Sequence, residues 1–246
     1  KEFAAHVGLP PGAARGGAAT TYPEYQRTMN WPVAGSYTAA VERLARADAR
    51  TEPPDNALRV VHVQGNVHMV VGDGGNIIVQ AGDEGVLVVD TGLEARGDEL
   101  LAAIRKISDK PIRYIINTHF HADHTGGNEK VTRAGQSIVA GNFAAQVGQD
   151  AADQANIIAH ENAQLRMMSD LKPPPPFVAM PTDTFFTEAK DLYFNGEAVQ
   201  ILHQPAAHTD GDVIVHFRKS DVIVAGDVYI NTTFPIVQVH QGGSFQ

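Results

Sequence analysis

Between residues 118 and 128 the chain reads Thr118-His119-Phe120-His121-Ala122-Asp123-His124-Thr125-Gly126-Gly127-Asn128. Three of its 11 histidines fall within six positions here, beside an aspartate. Imidazole and carboxylate suit Zn2+, which they bind at roughly 2.0–2.2 Å. Side chains one, three, five and six along can converge only if the backbone turns tightly. Gly126-Gly127 permits that close approach, where a Cβ would clash. Two distant pieces can complete a metal centre: Ala207-His208-Thr209-Asp210-Gly211-Asp212 and Ala225-Gly226-Asp227. A Gly-Asp pair by itself is more often just a turn. Both pieces follow apolar strand-like runs, however, and strand-end loops are where ligands are supplied. The chemistry a metal ion there would supply is activation of water for hydrolysis, with no Ser or Cys needed.

Other candidates carry less. Tyr229, two residues past Asp227, is a candidate hydrogen-bond donor to a substrate oxyanion, set against a tyrosine packed at a strand end. His160-Glu161-Asn162, after Ile157-Ile158, reads as a helix start in preference to support for the ligands. Phe177, Phe185 and Phe186 either line a pocket mouth or belong to the core. His62, His68 and His216 sit in strand patterns and read as structural, and His6 as solvent-exposed.

The elements that must position these residues begin at Arg59. Strands are predicted over 59–63, 67–71, 75–80 and 86–89, the last an apolar run stopping at Asp90-Thr91-Gly92, and short strands split by Gly/Asp/Asn turns suggest an antiparallel meander. Glu94 to Lys106 has Leu100, Leu101 and Ile104 at helical spacing. Ile112 to Ile116 is the next strand and runs into His119. A short strand is predicted over 137–140, mainly helix over 142–170, and a loop at Pro173–Pro176, where proline excludes helix and sheet interior. Strands over 199–203, 213–217 and 222–225 follow. Residues 1–57, rich in Ala, Gly and Pro with a helix predicted over 36–50, read as an extension packed on the domain formed by 58–246.

Composition limits the class. With 43% apolar and 19% charged residues the chain is ordinary for a globular protein. A net charge of −9 with no Lys/Arg cluster argues against a nucleic-acid partner and weakly against an anionic membrane surface. No run of 18 apolar residues exists to span a bilayer. The absence of cysteine excludes disulfides, thiolate ligands and a Cys nucleophile. Beginning on Lys1 is read as signal-peptide cleavage or the design of the cloned segment, the former implying a periplasmic or secreted protein and the latter leaving a cytoplasmic one open. A small-molecule substrate is expected, with a homodimer allowed.

From about residue 59 onward the chain resembles the metallo-β-lactamase superfamily. The resemblance rests on His119-x-His121-x-Asp123-His124, on Asp90 after an apolar strand, and on His208 and Asp227 in that order. It implies an α/β fold, an αββα sandwich of two mixed, largely antiparallel sheets flanked by helices, with the site on one edge. It further implies that His119, His121 and His208 hold one zinc, that Asp123 and His124 hold a second, and that Asp227 bridges them, with Asp90 orienting a ligand histidine. A metal-bridging hydroxide, oriented by Asp123 and Asp227, would then attack the substrate. The family supplies one more histidine from a downstream Pro-Gly-His segment that has no counterpart here. His240 lies thirteen residues past Asp227 in a stretch read as loop and is the weaker candidate. The resemblance thus implies a chain without the last strands and helix of the second half, and leaves the second zinc open.

The resemblance also ranks substrates. Two subclasses of zinc β-lactamase place Cys where Asp227 stands, and the third lacks the bridging carboxylate. Asp227 is more similar to thioester hydrolases of the glyoxalase II type, lactonases, and organophosphate or carbamate hydrolases. The expectation is a zinc-dependent hydrolase of a small ester, lactone or related acyl bond. The alternatives are β-lactamase activity, a mono-iron oxidoreductase like the persulfide dioxygenases, and a non-catalytic relic of the fold.

Overall fold

A computed structural model describes residues 57–137, 154–231 and 234–244. All but the last residue of the extension over 1–57, including its helix at 36–50, and nearly all of the strand over 137–140 lie outside them.

The meander forms as its turns dictate. Strands β1 (Arg59–Gln64), β2 (Val67–Val71), β3 (Ile77–Gly82) and β4 (Gly85–Val89) pair antiparallel in sequence order. Every residue of β4 is buried, because Leu87 and Val89 face a second sheet while Val86 and Val88 face helices. That is why its sequence is a continuous apolar run rather than an alternation. Helix α1 (Gly97–Ile107) buries Leu100, Ala103 and Ile104 at i, i+3, i+4 spacing against Val86, Val88 and Ile115. Asp98 and Glu99 in its first turn and Arg105 and Lys106 in its last complement the helix dipole. Each fully buried Leu or Ile there contributes roughly 1.5–3 kcal/mol.

The crossover through α1 leads to β5 (Ile112–Ile116), parallel to β4. Short helices α2 (Ala122–Thr125) and α3 (Asn128–Arg133) follow. Parallel strands β6 (Asn156–His160) and β7 (Asp183–Phe185) complete a seven-stranded sheet in the order β1 to β7. The described part of 142–170 is helix over α4 (Glu161–Ser169), but it opens with the strand β6, which the sequence reading did not separate from the helix. His160 Nδ1 accepts from Asn162 N and caps α4, so the helix-start reading holds.

The second sheet is an antiparallel four-stranded meander in the order β11-β10-β9-β8, comprising β8 (Ala189–Phe194), β9 (Glu197–Gln204), β10 (Asp212–Phe217) and β11 (Val222–Val224). The sequence reading missed β7 and β8. Only one face of β8 is covered, through half-buried Lys190 and Leu192 and buried Phe194, so its pattern is weak. The two sheets close on a core that includes Leu87, Val89, Ile116 and Ile158 from the first, and Phe194, Val199, Ile201, Val213, Val215 and Phe217 from the second. Phe185 joins this core, whereas Phe177 and Phe186 are exposed. No described helix is long and apolar enough to cross a membrane.

Candidate metal centre

The parallel half of the first sheet and the meander of the second send their loops to one rim. At the end of β4, Asp90 sits in the left-handed region at φ 62 and is buried. A non-glycine there costs roughly 1 kcal/mol or more, and the carboxylate supplies the compensation. Its Oδ1 accepts from Thr118 N at 2.7 Å, and its Oδ2 accepts from Thr118 Oγ1 and His124 Nδ1, each at 2.7 Å.

At the end of β5 the chain turns through His119 to His124. The backbone carbonyl of His121 receives the amides of His124 and Thr125, starting α2. A Cβ on Gly126 would stand 2.6 Å from Ala122 O and Glu94 N, and one on Gly127 would strike Thr91 O. The glycine pair is therefore required by close approach, as the sequence suggested. Gly226 needs glycine twice over, with φ 52 and a would-be Cβ 2.7 Å from Thr118 Oγ1.

These turns bring three imidazole nitrogens together from two sheets. His121 Nδ1 lies 3.0 Å from His119 Nε2 and 3.0 Å from His208 Nε2. The far nitrogens fix the tautomers. His208 Nδ1 meets the Ile236 carbonyl at 2.6 Å and must donate to it. Thr118 Oγ1 has given its proton to Asp90, so at 3.2 Å it accepts from His119 Nδ1. His121 Nε2 donates to Gln241 Oε1 at 2.7 Å. Three lone pairs thus face one another, an arrangement that a cation between them relieves. Burial, aided by the neighbouring imidazoles His124, His121 and His208, holds His119 well below the ordinary histidine value. Burial likewise lowers His121, against the pull of Gln241.

Beside this trio lies a second cluster of His119, His124 and Asp227 with ligand atoms at metal-binding spacing. His124 Nε2 is buried without a hydrogen-bond partner. Asp227 Oδ1 stands 3.2 Å from it and Asp227 Oδ2 3.7 Å from His208 Nε2, so this carboxylate lies between the two clusters. Asp123 Oδ2 is farther, 3.6 Å from His124 Nε2, on a half-exposed side chain. Burial opposes charge on His124, but Asp90 and Asp227 outweigh it and push the ring up to about 10. The contact with His124 in turn holds Asp227 below the usual carboxylate range. The donor set, all imidazole and carboxylate with a buried orphan nitrogen, fits borderline divalent metal chemistry.

His124 and Asp227 also border a cleft of about 530 Å³, walled by Met69, Ile78, Ile223, Val224 and Ile230 and with Tyr229 on its lining. Tyr229 is exposed, not packed at a strand end. His240 sits exposed in the turn Val239–Gln241 and belongs to neither cluster. Its neighbour Gln241, which the sequence reading passed over, is the one that reaches His121.

Comparison with known proteins follows the same lines. A model of the metallo-beta-lactamase superfamily matches residues 60–239. A linear primary-alkylsulfatase of Pseudomonas sp. (strain ATCC 19151) is 30% identical over 182 residues, covering 60% of this chain and 32% of the relative. The chain thus spans about a third of that curated relative's length. Among solved structures, a Cronobacter sakazakii metallo-beta-lactamase with a HARLDQ motif superposes with TM-score 0.51 at 18% identity, covering 70% of this chain and 63% of that one. BJP-1, a subclass B3 metallo-beta-lactamase of Bradyrhizobium japonicum, gives 0.50 at 19% identity over 66% and 58%. At such identities these structures show the shared fold.

Proposed function

Because the chain belongs to the metallo-β-lactamase superfamily, we propose that it is a hydrolase dependent on zinc at two sites, cleaving an ester, lactone or related acyl bond of a small molecule. The observation that carries this is the convergence of three imidazole nitrogens, with His121 Nδ1 3.0 Å from each of the other two. When bound, the ions supply Lewis acidity and bring the ionisation of water into the neutral range, to a pKa of about 7.

The protein's own residues do the rest. His119, His121 and His208 would hold one ion, and His124 with Asp123 the other. Asp227 is set between the two groups, with one oxygen toward His124 and the other toward His208. Asp123 keeps a half-exposed carboxylate beside His124, placed to orient an attacking water. The aliphatic walls of the cleft keep solvent from an apolar substituent while its reacting bond meets Asp227. At the cleft lining, the Tyr229 hydroxyl is available as a donor to a developing oxyanion.

A second reading is favoured by one comparison. The alkylsulfatase relative acts on linear primary alkyl sulfates, and a cleft with aliphatic walls suits an alkyl chain, so the bond cleaved would be a sulfate ester.

Metal analysis of the purified chain, followed by a panel of alkyl esters, lactones and primary alkyl sulfates, tests both. Two zinc ions and turnover of one class are expected, with Asp123→Ala losing at least about a hundredfold in kcat, at the upper end of what even an outer partner of a metal site costs. Full activity in that variant would overturn the mechanism, one iron would point to the oxidoreductase, and no metal to a relic.

A further inference from the structure

The far nitrogens of the trio are met by three different kinds of group. Thr118, locked by Asp90, serves His119, and the Ile236 carbonyl serves His208. Both can only accept from the ring, so both histidines are held in one tautomer. His121 differs, because its partner is an amide. Gln241 Oε1 stands 2.7 Å from His121 Nε2, 120 residues away in sequence. Gln241 is itself fixed in place: its carbonyl receives the Asp210 amide at 3.0 Å, and its amide donates to Gln238 O at 2.8 Å. Gln238 N donates to His208 O at 2.8 Å, and Ser244 N to Ala207 O at 3.0 Å. Asp210 is gripped in turn by Arg166, Nε to Oδ1 and Nη2 to Oδ2, each at 2.7 Å.

We propose that Gln241 is the positioning residue that aims His121 Nδ1 at a metal ion, and that its amide lets the same contact serve the metal-free chain. The inference rests on the metal reading above. With an ion present, His121 Nδ1 must be bare, Nε2 carries the proton, and Oε1 of Gln241 accepts it. Without one, a proton on Nδ1 can be shared with His208 Nε2 at 3.0 Å, and a half-turn of the amide presents NH2 to the now bare Nε2. A carboxylate, the usual partner of a ligand histidine, offers only the first arrangement. A glutamine therefore permits loading and unloading without orphaning a ring nitrogen, where a glutamate would favour the loaded state.

The test is the affinity of the parent, Gln241→Ala and Gln241→Glu for Zn2+, by competition with a chromophoric chelator, with Co2+ absorption reporting the ligand field. Q241A is expected to bind Zn2+ about 10–100-fold more weakly with a weaker Co2+ band, and Q241E more tightly than the parent. Melting of the metal-free proteins accompanies this. Should Q241A melt early, Q241E carries the test, because it restores the acceptor. Q241A binding as tightly as the parent, or Q241E falling to the level of Q241A, overturns the proposal. A parent that takes up neither ion overturns the metal reading itself.

Discussion

Each end of the sandwich buries a carboxylate among polar partners, and the two ends differ in how the protein completes them. At the end away from the histidines, Glu197 accepts from Gln80 Nε2 at 2.7 Å, Ser220 Oγ at 2.8 Å, Ser220 N at 2.9 Å and Lys219 N at 3.0 Å. Burial would raise its pKa, but these donors hold it below the ordinary glutamate value. The group ties β3 of one sheet to the β10–β11 turn of the other. At the histidine end, Asp90 is satisfied in the same manner, yet the imidazoles beyond it crowd together: three nitrogens face one another, and His124 Nε2 faces the carboxylates of Asp227 at 3.2 Å and Asp123 at 3.6 Å. Protein atoms alone complete the first network. The second sets imidazole and carboxylate atoms at a spacing that could hold a metal ion, and that asymmetry separates a clamp from a candidate site.

The sharpest way to break this contrast is to cross the two. His208→Ala should cost at least about a hundredfold in turnover and abolish tight Zn2+ uptake, while the metal-free chain still folds, with a cooperative melting transition. Glu197→Ala should do the converse. It leaves the Gln80, Lys219 and Ser220 donors in want of an acceptor, at about 3 kcal/mol, and lowers Tm by roughly 6–12 °C at the 2–4 °C per kcal/mol typical of this size, with Zn2+ affinity of the folded protein unchanged. If E197A also lost the metal, the ends would not be independent.

Next in size is metal-linked stability. Zn2+ at a hundred times its dissociation constant should stabilise the chain by about 2.7 kcal/mol, measured as a rise in Tm that chelation reverses and that H208A lacks.

The ends should also fail at opposite extremes of pH. In the metal-free chain His124 is raised from 6.5 to about 10. Its contribution is therefore full below 6.5 and lost as pH climbs towards 10. Glu197 is lowered from 4.5, so its contribution is full above 4.5 and lost on acidification below that value. Denaturant unfolding of E197Q against the parent should show a difference that shrinks in acid. In the same neutral window, loading His124 must expel its proton, so log Kd for Zn2+ should fall by about one per pH unit, checked by titration in unbuffered solution.

Smallest is Tyr229→Phe. Since the side chain is exposed, about a tenfold loss in kcat with unchanged KM is expected, below the range of a buried oxyanion donor. No change would remove Tyr229 from the chemistry.

The sequence made the histidine end visible and hid the other. His119 to His124 declare themselves because ligand residues crowd within one loop, and Asp90 because it ends an apolar run. Glu197 has no local signature: its donors come from residues 80, 219 and 220, and only the fold joins them. The Asn195-Gly196 pair, a hairpin signal with both residues at positive φ, was legible and would have revealed β8 and β9 as partners. β6 was lost inside a polar, alanine-rich stretch whose composition favours helix. Gln241 was overlooked beside His240, because a histidine draws the eye where the geometry needed an amide.

The contact between His121 and His208 bridges 87 residues, and that between His121 and Gln241 bridges 120. A fragment ending before His208 lacks the third imidazole, and one ending before the Val239–Gln241 turn lacks the Gln241 contact. If the trio holds an ion as proposed, its capture would follow the meeting of the two sheets rather than precede it. On the metal reading proposed above, uptake of zinc would report that both sheets have met and that the Val239–Gln241 turn has docked.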